Sequence, residues 1–95
     1  MPAIDSKTLR ALTRLMSDPK LRALFEQAMQ QPGQTGWSLA RMVSSKLQTG
    51  PEEVLTLLKE LNQIGALQSL GEGLNAYCMA TPLAFELKSH LSAQQ

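Results

Sequence analysis

The change of hydrophobic period at Gly65 constrains this chain more than any other feature. Val54, Leu57, Leu58, Leu61 and Ile64 recur at spacings of three and four, the period of one helical face, and form the strongest apolar stripe in the sequence. Gly65 ends that stripe, because glycine tolerates the left-handed conformation that closes many helices. Beyond it, residues 66–70 and 74–80 have extended character and are joined by Gly71-Glu72-Gly73, whose glycines permit positive φ. The pattern predicts a helix that turns sharply into a short hairpin.

Three more helices are expected ahead of this one. Asp5 and Ser6 can cap a first helix over residues 5–16, in which Leu9, Leu12, Leu15 and Met16 share a face. Asp18-Pro19 restarts a helix over residues 19–30, since Asp is a preferred cap and Pro fits the first helical position. Its buried stripe is Leu21, Leu24, Phe25, Ala28 and Met29. Residues 30–36 read as a loop from their Pro and two glycines. Ser38 is expected to cap the third helix, with Leu39, Ala40, Val43 and Leu47 on its inner face. Thr49 and Glu52 stand three apart, the spacing of a capping box at the start of the fourth helix. Thr81-Pro82 opens a last helix over residues 82–91, lined by Leu83, Leu87 and Leu91, and residues 92–95 are expected to fray.

The 95 residues fit one domain, and the hydrophobic 43% comes mainly from Leu, Ala and Met, which favours helix over sheet. The expected fold is therefore mainly α with a small β-hairpin. Cys78 alone excludes an internal disulfide, and His90 alone leaves nothing to complete a zinc site of four N or S ligands. Cys78 reads by default as a small buried hydrophobe, because the local sequence offers no cation to lower its pKa. Trp37 reads as core or hairpin packing, and His90 as a surface residue near a helix C-terminus. No apolar run is long enough for a signal or a membrane span, so a cytoplasmic protein with no membrane, metal or cofactor partner is expected. No nucleophile with a base and no phosphate-binding glycine loop is visible, which argues against an enzyme.

Residues 38–80 carry Leu39-Ala40 early in a helix, Val54 after a short turn, the run Leu57-Leu58-Lys59-Glu60-Leu61, and Gly65-Ala66-Leu67 where helix becomes strand. This stretch resembles the winged helix-turn-helix of small bacterial transcription regulators, particularly the MarR and ArsR types. The resemblance covers a little under half of the chain. It implies a winged helix-turn-helix with additional N- and C-terminal helices, binding double-stranded DNA as a homodimer. The fourth helix then enters the major groove and the third crosses the backbone.

On that reading Arg41, Ser45 and Lys46 reach phosphates, Thr49 and the start of the fourth helix offer a helix-end anion site, Thr56 meets a base or sugar, Leu55 touches a thymine methyl, and Lys59 faces outward beside them. The outward positions of the fourth helix are expected to include Glu52, Glu53, Glu60, Asn62 and Gln63 as well. Ile4, Leu9, Leu12 and Leu15 with Leu83, Leu87 and Leu91 are the expected dimer interface, as the leucine stripes of the outer helices.

Charge qualifies the reading. Residues 1–48 hold seven bases against three acids, a balance of +4, and residues 49–95 hold two against five, a balance of −3. A polyanion is held by Lys and Arg, yet the fourth helix is acidic and residues 67–80 carry only Glu72. The alternative is a winged-helix protein-interaction module that binds no DNA, using the acidic fourth helix and an outward Leu55.

Overall fold

The computed structural model describes residues 5–93, and Asp5 is the cap of its first helix. Its carboxylate accepts the Thr8 amide at 2.8 Å and starts α1, Ser6–Ser17. Asp18 then serves two helices. Its backbone N–H closes α1 on the Arg14 carbonyl, and its side chain accepts the amides of Lys20 and Leu21 at the start of α2, Pro19–Gln30. A two-residue strand, β1 (Gln34–Thr35), leads into α3, Gly36–Leu47. After α4, Pro51–Gln63, the chain forms β2 (Leu67–Leu70), a single 3₁₀ turn (Gly73–Asn75), β3 (Tyr77–Ala80) and α5 (Pro82–Ala93). The protein is mainly α with a small antiparallel sheet, in the strand order β1-β3-β2.

The hairpin pairs Leu67 with Ala80 through Leu70 with Tyr77, and β1 adds Gln34 and Thr35 opposite Cys78 and Tyr77. β1 falls inside the expected loop. Two residues have no period of their own, and only β3 gives them a partner.

Two helix starts differ from expectation. Thr35, not Ser38, caps α3, its hydroxyl accepting the Ser38 amide at 3.2 Å, so Ser38 lies inside the first turn. Gly36 fits there because a side chain would collide with Leu74, whose atoms would stand 2.9–3.0 Å from an added Cβ. The hairpin crosses α3 at that point. At α4 the capping box does not form: Gly50 is the cap, no side chain bonds the helix start, and Thr49 is buried with its hydroxyl on the Leu47 carbonyl at 3.0 Å.

One core holds all five helices. Phe25, Leu21 and Leu24 of α2 are fully buried at its centre, with Leu15 of α1, Leu39 and Val43 of α3, Val54 and Leu61 of α4, and Leu87 of α5 around them. Each such side chain contributes about 1.5–3 kcal/mol by leaving water. Gly65 turns the chain out of α4 with φ +81°, the left-handed value its position requires. The Thr81 hydroxyl donates to the Gly65 carbonyl and accepts the Ala84 amide, tying the start of α5 to the end of α4.

The expected dimer interface is largely spent inside the monomer. Leu12, Leu15, Leu87 and Leu91 are buried in the core, because α1 and α5 pack on each other and on α2. Leu83 is half-buried with a methyl against Gly65. Leu9 is exposed, Met16 is exposed beside it on α1 rather than sharing the buried face, and Ile4 lies outside the described residues. Ser92 and Ala93, expected to fray, continue α5, and residues 94–95 are outside the described range.

Candidate nucleic-acid interface

Burial of Val54, Leu57, Leu58 and Leu61 fixes the rotation of α4 and turns Glu52, Thr56, Lys59 and Gln63 into an exposed ridge along its opposite side. The Thr56 hydroxyl donates one turn back to the Glu52 carbonyl at 3.1 Å, which leaves its lone pairs toward solvent. Four side chains expected to face outward lie off the ridge: Glu53 and Glu60, turned to bases of other helices, and Leu55 and Asn62. Leu55 is half-buried in a groove of about 320 Å³ between α4 and the hairpin. Asn62 is engaged at both ends of its amide: it donates to the Leu58 carbonyl and the Ser69 hydroxyl, both at 2.8 Å, and accepts the Ser69 amide at 2.9 Å.

Two of the three acids of α4 are matched within the molecule. Glu60 is bound by Arg14 of α1, and Glu53 by Lys20 of α2 at 3.0 Å. The hydrogen bond to Glu60 holds the Arg14 guanidinium above its ordinary pKa. The split between a basic first half and an acidic second half is thus partly an internal pairing. Among the described residues, the acids without an ion pair are Asp5, Glu52, Glu72 and Glu86, against Lys7, Arg10, Arg41, Lys46, Lys59 and Lys88. Asp5 is engaged as the α1 cap.

The expected phosphate contacts divide. Arg41 and Ser45 are exposed on the outer side of α3, and Arg41 lines a groove of about 330 Å³ with Trp37, Ser44 and Pro51, which sets it beside the first residue of α4. Lys46 is exposed too, but five residues further on it stands about 140° round the helix and does not join them. Thr49 offers neither of its groups, since its side chain is buried and its amide bonds the Ser44 carbonyl at 3.2 Å.

Compared with protein-family models and with curated proteins, the chain matches none.

α1 brings bases that were not assigned to the interface. Arg10 and Arg14 share a depression of about 540 Å³ with Thr56, Lys59 and Gln63 of α4. Their signal was present in the sequence: Lys7, Arg10 and Arg14 follow a three- and four-residue spacing and so share one side of a helix. What the spacing lacked was the element that side would meet.

The hairpin has the opposite character. Leu70 and Tyr77 are paired across the strands and, with Met79, are the exposed large apolar side chains of its outer face. Trp37 is 51% exposed rather than in the core, and its indole N–H donates to the Asn75 side chain at 3.2 Å, which is its tie to the hairpin. Cys78 lies on the inner face and is buried, and desolvation pushes its thiol pKa up, as suits a small apolar filler.

Proposed function

We propose that this protein is a winged helix-turn-helix transcription regulator that binds double-stranded DNA through α4, with α3 crossing the backbone. The observation that carries the reading is the pairing of Glu53 and Glu60 with Lys20 and Arg14. With those acids engaged, the ridge of α4 presents Thr56, Lys59 and Gln63 to a groove, and Glu52 is its one unpaired acid among the described residues. Arg41 at the start of α4 supplies a phosphate contact. No described helix is long and apolar enough to cross a membrane, and a cytoplasmic location fits this role.

The regulator acts as a homodimer, so that two α4 helices meet successive major grooves and the phosphate contacts double. The leucines of α1 and α5 that are buried in the core are not its interface. Leu9 and Met16, one helical face of α1, and Phe85 of α5 are the exposed large apolar side chains left for a second copy there.

Titration of mixed-sequence duplex at about 50 mM salt tests the reading: micromolar or tighter binding that weakens steeply as salt rises supports it, and no binding removes it. Arg41→Ala is expected to weaken binding on all sequences alike, whereas Thr56→Ala shifts sequence preference. A second reading, a protein-interaction module, is favoured by the exposed apolar face of Leu70, Tyr77 and Met79. It predicts no duplex binding.

A further inference from the structure

We propose that α1 is the phosphate-holding arm of this interface: Lys7 and Arg10, with Lys59 of α4, grip the duplex backbone on the flank of α4 opposite the hairpin. The proposal rests on the DNA reading of α4 and adds a contact which that reading does not require. Arg10 lines two adjoining hollows, one of about 380 Å³ with Lys7, Gln63 and Ile64, the other of about 540 Å³ with Thr56, Lys59 and Gln63. Its side of α1 therefore borders the C-terminal half of the exposed ridge.

Lys7 is laid across the end of α4. Its Cε and Nζ lie 3.4 and 3.7 Å from the point a Cβ on Gly65 would occupy. The ammonium thus sits beside the helix C-terminus, where the backbone carbonyls favour a cation.

The acid that borders this depression, Glu60, is engaged by Arg14, while Lys7, Arg10 and Lys59 have no ion-pair partner among the described residues. A helix in the major groove has a phosphate strand on each side, and each strand needs cations. The hairpin, whose only charge over residues 67–80 is Glu72, supplies none. With Arg41 beside the start of α4 and Lys7 and Arg10 beside its end, the cations stand at both ends of the ridge. Phosphodiester oxygens are the partner this chemistry recognises, without regard to base sequence.

The test is fluorescence anisotropy on two unrelated duplexes across a salt series. Lys7→Ala combined with Arg10→Ala should lose roughly tenfold in affinity on both duplexes, and the slope of log affinity against log salt should fall by about two, near 0.9 per lost phosphate contact. Arg10→Gln alone, which leaves the Lys7 cover over Gly65 intact, should lose about one unit of slope with an unchanged melting temperature. Lys88→Ala on α5 should change neither quantity.

If both α1 variants keep wild-type affinity and slope while Arg41→Ala still weakens binding, α1 is no contact and the DNA reading stands without it. If the loss appears on one duplex and not the other, Arg10 reads bases and the phosphate role is overturned. If the wild-type chain binds neither duplex at about 50 mM salt, the DNA reading fails and the arm fails with it.

Discussion

On the α1 side of α4 the contacts are charged and open to water, while on the hairpin side they are neutral and shielded. Arg14 and Lys20 hold Glu60 and Glu53 through side chains that stay partly exposed. Asn62 meets Ser69 and Leu58 through three short hydrogen bonds, and Leu55 fills the space beside them. Exposed ion pairs contribute little to stability and exchange partners readily, whereas a satisfied amide fixes geometry. On the proposed reading the flanks have separate duties: the hairpin side positions α4, and on the α1 side Lys7 and Arg10, which have no ion-pair partner among the described residues, are left for a polyanion. Asn62 has a further effect, since it takes the outward N–H of Ser69 on the edge strand β2, a group otherwise open to pairing with another chain.

The largest expected effect removes the platform that both flanks share. Leu61→Ala empties a fully buried site on α4 and should cost about 2–5 kcal/mol in urea unfolding. A cost well under 1 kcal/mol would mean that α4 is not anchored as described. Next comes the hairpin flank alone. Asn62→Ala leaves the Ser69 amide without its acceptor and should cost about 1–3 kcal/mol, with amide exchange quickening at Ser69 and the rest of β2 before α1 responds. Equal quickening in α1 would erase the division between the flanks.

Smaller still is the charged flank. A double-mutant cycle on Lys20 and Glu53 should give a coupling of about 0.2–1 kcal/mol that shrinks with added salt. A larger, salt-insensitive coupling would make the pair structural. The smallest effect is an acid one. Hydrogen bonds from the Thr8 amide and hydroxyl hold the Asp5 carboxyl below the ordinary carboxylate range. The cap therefore stabilises α1 fully above the ordinary carboxylate range and is lost as pH falls through the lower folded value. Asp5→Ala should lower the melting temperature at neutral pH, and the difference from wild type should vanish at a pH below the lowered folded value. A difference that survives at that pH would place the effect elsewhere than in the charge of the cap.

Periodicity made the apolar side of every helix but the first legible almost residue by residue, and it marked Gly65 as the exit from α4. It could not say what covers each apolar side. The leucines of α1 and α5 read as a surface for a second copy, yet they cover one another and α2. Helix starts were read from local chemistry, which succeeded at Asp5 and Asp18, where the cap depends on its own neighbours. It failed at Thr35 and Gly36, where Leu74 crosses the chain from 38 residues away. The same limit applies to the site. Arg41 and Thr56 were legible as outward positions, and the split of charge between the two halves was plain. The pairing of Arg14 with Glu60, and the depression that Arg10 and Lys59 share, depend on α1 coming within side-chain reach of α4, which no local pattern encodes.

Residue-resolved NMR with a short duplex tests the central claim most directly. Amide shifts on titration are expected to concentrate at Thr56, Lys59 and Gln63 of α4 and at Lys7 and Arg10 of α1, with Arg41 at the start of the ridge. Shifts confined to Leu70, Tyr77 and Met79 of the hairpin, or none at all, would contradict it.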